Sequence, residues 1–137
     1  IGALLLDGIG DTIRVSISGD PVKEIGAGQD ILRACGLRQD GVEIIACPTC
    51  GRKSMDVAKI ADELAARVAN IKVPVKAAVM GCVVNGPGEA SMADVGIAGA
   101  GDTVSLFVGG QTIRRIAIDE AVDALAQEIE IIANTRL

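Results

Sequence analysis

The sequence predicts an α/β fold, a mixed sheet with helices packed on it, and three observations carry that reading. Short apolar or alternating runs recur between longer segments whose apolar residues keep a helical period. Each of the three long segments opens on an aspartate suited to cap a helix, at Asp20, Asp56 and Asp119. Half of the 137 residues are hydrophobic, enough for one compact domain with a real core, or a domain plus a piece of another.

Taken in order, residues 12–18 alternate, with Ile13, Val15 and Ile17 on one strand face and Arg14 and Ser16 on the other. Asp20 then caps a helix with Pro21 at its first position. Its buried stripe is Val22, Ile25, Leu32 and Cys35, and it stops at Gly36. Gly26 and Gly28 weaken this helix, so close packing against a neighbour must compensate. The polar run Arg38-Gln39-Asp40-Gly41 marks a boundary, dividing the chain into residues 1–36 and 37–137.

Residues 42–46 form a second strand that runs straight into a cysteine loop. Asp56 caps a long helix through Val57, Ile60, Ala61, Leu64, Val68 and Ile71. Residues 75–80 read as a mostly buried strand delivering a second cysteine loop. Residues 94–98 and 104–108 are short strands, and Gly109-Gly110 turns the chain into another over 112–117. Asp119 caps a final helix whose inward positions are Val122, Leu125, Ile129 and Ile132. Both cysteine loops therefore follow the C-terminal ends of strands, where α/β sheets place their sites.

Composition narrows the chemistry. With no histidine, triads, histidine general bases and histidine metal ligands are excluded, leaving Cys, Asp, Glu, Lys and Arg. One Phe, no Trp and no Tyr leave almost nothing for bases to stack on, and a net charge of −5 disfavours a phosphate backbone, so no nucleic-acid partner is expected. No apolar run reaches bilayer length, and no membrane partner is expected. The first residues lack both a basic stretch and an initiating Met, the look of a chain that begins within something larger. So apolar a chain has little need of disulfides from its four cysteines, and a reducing, intracellular setting is expected.

Chemistry concentrates in two glycine-flanked loops, Cys47-Pro48-Thr49-Cys50-Gly51-Arg52 and Gly81-Cys82-Val83-Val84-Asn85-Gly86-Pro87-Gly88-Glu89. The paired cysteines have three readings. Half of a zinc site lacks its second pair, since only Cys82 is left. A thiol–disulfide couple leaves Cys82 and its loop unexplained. An iron–sulfur cluster uses all three and ranks first. The turn-rich Asn85-Gly86-Pro87-Gly88 folds Glu89 back toward Cys82; on spacing alone, a fourth ligand and a solvated carboxylate are equal readings. A carboxylate ligand is harder and weaker than a thiolate, so it can step away and leave one iron open to a substrate oxygen, which suits reductive C–O cleavage. Cys35 reads as core, and Asn85 before glycine as a turn residue. Arg14 and Ser16 could grip a phosphate, but on the residues alone a solvent-facing strand edge is the better reading. Arg52 and Lys53 read either as steering charges or as ordinary surface, and carry no site assignment.

These loops, together with residues 8–16 (Gly-Ile-Gly-Asp-Thr-Ile-Arg-Val-Ser), closely resemble the 4-hydroxy-3-methylbut-2-enyl diphosphate synthase family across the whole chain. The resemblance implies a sulfite/nitrite-reductase-like iron–sulfur domain at residues 37–137, preceded at 1–36 by the last strand and helix of a TIM barrel. It implies a 4Fe–4S cluster on Cys47, Cys50, Cys82 and Glu89, diphosphate contacts at Arg14 and Ser16, and Asn85 near substrate. The implied reaction opens 2-C-methyl-D-erythritol 2,4-cyclodiphosphate and expels water with two electrons, delivered singly by a flavodoxin or ferredoxin. It further implies a homodimer in which the cluster domain covers its partner's barrel, in a cytoplasm or, in a plastid-bearing eukaryote, a plastid. The rest of that N-terminal TIM barrel is missing from these residues, so the isolated chain is expected to turn over nothing and to expose apolar faces. The competing expectation is a non-catalytic module, either a ferredoxin-like electron carrier or a small zinc-stabilised domain.

Overall fold

The computed structural model describes residues 1–84 and 86–136. The chain divides into two compact units, Ile1–Asp40 and Gly41–Leu137. The division falls inside the polar stretch that follows Gly36.

The first unit holds two helices, α1 (Gly2–Leu6) and α2 (Val22–Ala34). The short α1 has no periodic signature and was not expected. The Asp20 carboxylate accepts from the Val22 N–H at 2.9 Å, but the capping position falls on Pro21, one residue later than expected and without a side-chain bond. At the other end the Gly36 and Leu37 N–H groups reach back to the Arg33 and Leu32 carbonyls, with Gly36 at φ +70°. This pattern closes a helix and needs the left-handed conformation that glycine adopts freely. Arg38, then Arg33, hold the Asp40 carboxyl down at about 2 through hydrogen bonds and charge.

Two further expectations fail in this unit. Residues 13–17 form no strand and pair with none among the described residues, because a ladder needs a neighbour and none lies alongside. Their alternation survives: Ile13 and Val15 are half-buried, Arg14 and Ser16 exposed. The stripe on α2 is also not buried, with Val22 67 % and Ile25 63 % exposed. Gly28 does bring the helix close to a neighbour, since an added Cβ would meet Val15 at 3.7 Å, but nothing lies within 4 Å at Gly26.

The second unit is a mixed five-stranded sheet in the order β1 (Val42–Ala46), β2 (Val75–Met80), β3 (Val95–Ala100), β4 (Thr103–Val108), β5 (Gln111–Ala117). β1, β2 and β3 run parallel; β4 and β5 continue antiparallel. The expected α/β class is observed. Gly109 and Gly110 both adopt positive φ, the backbone a two-residue hairpin turn requires. The strands depart from expectation only at their ends, by one or two residues.

Helices α3 (Val57–Val68) and α5 (Ala121–Thr135) pack together on one sheet face. Asp56 caps α3, accepting from the Lys59 N–H at 3.2 Å. Leu64, Ile97, Leu106, Leu125 and Ile129 are fully buried there, each contributing about 1.5–3 kcal/mol of apolar burial. Asp119 does not cap α5. It lies in a 3₁₀ turn, Ile118–Glu120, which satisfies the entry without a side-chain bond. The opposite face carries a smaller cluster of Ala78, Met80, Ala90, Ala93, Ala98 and Phe107, partly covered by one helical turn, α4 (Gly86–Ala90). The turn-rich sequence gave no helical signature for α4. No helix among the described residues is long and apolar enough to cross a membrane.

Asp94 fastens the end of α5 to the start of β3. Its carboxylate takes hydrogen bonds from the Arg136 guanidinium and from the Lys76 N–H at 2.8 Å. The Arg136 bond, then that from Lys76, hold its pKa below the ordinary carboxylate value against an opposing desolvation effect. A depressed folded-state pKa contributes stability above the unfolded value and loses it as pH falls through the folded one. Asp94→Asn is therefore expected to cost about 1–2 kcal/mol at neutral pH, discounted for partial exposure. The gap between variant and parent in denaturant midpoint closes below about pH 4. A gap independent of pH would show that the charge is idle.

Candidate functional site

Parallel pairing of β1 and β2 brings the two cysteine loops together. Ala46 lies opposite Val79, so the chain leaves both strands at the same sheet end, and the Cys47 N–H extends the ladder to the Val79 carbonyl at 3.0 Å. The Ser54 N–H then donates to the Gly81 carbonyl at 2.9 Å, tying the first loop to the second. Two glycines permit this approach. An added Cβ at Gly81 would lie 3.1 Å from Val57 Cγ2. One at Gly99 on β3 would lie only 2.5 Å from both the Gly81 carbonyl oxygen and Ser54 Oγ. That hydroxyl is buried and has no hydrogen-bond partner among the described residues.

As a result Cys47, Cys50, Cys82 and Glu89 all line one cavity of about 200 Å³, together with Arg52 and Met80. Cys47 and Cys82 are half-buried, while Cys50 and Glu89 are exposed. All four cysteines of the chain are free thiols. Cys35 is half-buried in the first unit, its sulfur 3.7 Å from the Gly2 carbonyl. Glu89 reaches the cavity from α4, which is anchored by buried Ala90; an added Cβ at Gly96 would lie 3.1 Å from the Ala90 Cβ. Asn85, placed near substrate by the sequence reading, lies outside the described residues.

The first loop is shaped around sulfur. Thr49 adopts φ +61°, unusual for a β-branched residue, and its N–H points at the Cys47 sulfur at 3.3 Å. Hydrogen bonding from the Arg52 backbone, then from its side chain, lowers the Cys50 thiol below its usual range. The Arg52 contacts favour the thiolate of Cys50, the form that binds metal. Among the described residues no three Cys, Asp or Glu side chains converge tightly enough to enclose a single metal ion. The donors ring a hollow instead of meeting at a point.

Arg14 and Ser16 are exposed in the first unit, where Arg14 lines a shallow groove beside α2 with Glu24 and Gln29. A larger hollow of about 470 Å³ lies near Asp56 and Asp119 and contains none of the thiols. The sequence alone says nothing of Thr49 and assigns Arg52 no place in the site. Thr49 betrays itself only through its backbone conformation. Arg52 had a signal, a cation two residues after the exposed cysteine, but spacing alone gives the direction of no side chain.

Residues 43–131 match the family model described as GcpE protein C-terminal domain. The chain is 54 % identical over 130 residues to a protein of Caldanaerobacter subterraneus subsp. tengcongensis named 4-hydroxy-3-methylbut-2-en-1-yl diphosphate synthase (flavodoxin). Proteins of the same name from Clostridium acetobutylicum and Symbiobacterium thermophilum are 52 % and 51 % identical over the same length. Each alignment covers 95 % of this chain but only 35–37 % of the relative, so the chain spans little more than a third of their length. With the family model covering most of the chain and both cysteine loops inside the matched range, the chain belongs to the GcpE C-terminal domain family.

Proposed function

We propose that this chain is the cofactor-bearing C-terminal part of an iron–sulfur oxidoreductase of isoprenoid biosynthesis. The reaction is reductive ring opening and dehydration of 2-C-methyl-D-erythritol 2,4-cyclodiphosphate to (E)-4-hydroxy-3-methylbut-2-enyl diphosphate. The observation that carries the proposal is the cavity uniting three free thiols and one carboxylate at the end of β1 and β2. Similarity to proteins named 4-hydroxy-3-methylbut-2-en-1-yl diphosphate synthase (flavodoxin) supports the product.

The donor set fits a 4Fe–4S cluster: soft thiolates predominate, two are two residues apart, and backbone N–H groups face sulfur. When bound, the cluster supplies electrons one at a time and a Lewis-acidic iron for the departing oxygen. Cys47, Cys50 and Cys82 hold it. Glu89, exposed on a single helical turn, would be the weaker ligand, able to yield its place to substrate. Arg14 and Ser16 bind the diphosphate, Arg14 through its bidentate fork. Asn85 orients the substrate beside the cluster.

The remaining parts follow from the same reading. The first unit is the end of a TIM barrel, whose other strands cover the exposed Val22 and Ile25. The second unit is the sulfite/nitrite-reductase-like domain. Val83, Val84 and Met92, exposed near Cys82 and Glu89, meet the barrel of the partner subunit in a homodimer. A flavodoxin or ferredoxin supplies the electrons in the cytoplasm, or in a plastid where the host has one.

Anaerobic reconstitution of the 137-residue chain with iron and sulfide tests the proposal. About four irons and four sulfides per chain are expected, with a spectrum that shifts on adding the cyclic diphosphate when the barrel portion is supplied. Zinc in place of iron would make the chain a zinc-stabilised module. A cluster indifferent to the cyclic diphosphate would make it an electron carrier.

A further inference from the structure

Three cysteines and Glu89 line one hollow in a chain already at net −5, and cysteines bind metal as thiolates, so a bound cluster would concentrate negative charge there. Adding an electron there is electrostatically unfavourable unless a cation offsets it. Among the described residues lining the cavity, Arg52 alone is cationic. Neighbouring Lys53 instead packs its stem against Gly81. Arg52 stands two residues after Cys50, within the turn closed by the Lys53 N–H and the Cys50 carbonyl at 3.1 Å. It is exposed and takes part in no ion pair among the described residues.

We infer that Arg52 is a positioning residue that sets the reduction potential of the group held in this cavity, acting through its charge beside the Cys50 sulfur. The inference rests on the cluster reading above. Arg52 neither binds iron nor touches substrate. It stays protonated throughout, and no bond at it forms or breaks. The couple it tunes is a one-electron reduction, with the electron coming from an external low-potential donor. Its influence arises because the reduced state carries one more negative charge than the oxidised state, and a fixed cation stabilises the former more. Partial exposure limits this effect and makes it sensitive to salt.

The test is a dithionite titration of the reconstituted 137-residue chain, followed by electron paramagnetic resonance, for the parent, Arg52→Gln and Arg52→Lys. Arg52→Gln is expected to lower the reduced-to-oxidised ratio about tenfold at a given potential, a shift of about 59 mV downward for a one-electron couple. Arg52→Lys keeps the charge and restores most of that loss. The difference between parent and Arg52→Gln shrinks as salt is raised. Equal potentials in parent and Arg52→Gln at full iron content overturn the inference while leaving the cluster reading intact. Loss of iron from both variants also overturns it, reducing Arg52 to a strut of its loop. A parent that takes up no iron and sulfide overturns the cluster reading and this inference together.

Discussion

Glu89→Ala is expected to retain most of the iron but lower turnover at least about a hundredfold in a full-length protein carrying this chain. The three thiols remain to fix the cluster, and a carboxylate is the weakest of the four partners for iron. The fold has little reason to respond. Glu89 is exposed, whereas the neighbouring Ala90 is the residue buried against the sheet. The expected loss follows the usual size of effects when one placed polar group leaves an active site. Iron per chain and turnover of the cyclic diphosphate, measured on the same sample, decide the matter. Undiminished turnover, or iron and activity falling in parallel, would remove Glu89 from its role.

Gly99→Ala reaches the same site from behind. Its methyl would press on the Gly81 carbonyl and the Ser54 hydroxyl, each 2.5 Å from the ideal Cβ position. Main chain cannot swing aside as a flexible side chain can, and Gly81 directly precedes Cys82. We expect a cost of about 2–3 kcal/mol, the upper range for an overpacked position. For a unit of this size the melting temperature falls by about 10–20 °C. Iron retention falls with it, because the two cysteine loops are forced apart. Gly88→Ala is the control, since nothing lies within 4 Å of its added methyl. Equal melting curves for Gly99→Ala and the parent would mean that the loops do not pack this closely.

Local chemistry made much of the second unit legible. Asp56, the spacing from Val57 to Val68 and the paired glycines 109 and 110 each specify geometry within a few residues, and the structure follows them. The three cysteines were legible for a related reason. Once residues 42–46 and 75–80 are read as strands, their loops leave at C-terminal ends, and the parallel register makes those ends neighbours. What failed depended on partners that local sequence does not name. Residues 13–17 carry a strand's alternation, but pairing is a property of two segments. Val22 and Ile25 carry a buried stripe's period, but burial needs something to lie against. Glu89 sits on α4, a helical turn hidden among residues that favour bends, and Asp119 yields its capping role to a 3₁₀ turn.

β1 lies at the margin of the sheet, hydrogen-bonded to β2 alone, yet its loop supplies Cys47 and Cys50. An outermost strand is the first to peel away in local unfolding. Whatever clasps its thiols to Cys82 rivets that strand to the interior by mass action. Were that clasp the proposed iron–sulfur cluster, iron shortage would act on abundance as well as on activity, with the empty protein fraying at this seam and falling to proteases before it could be refilled.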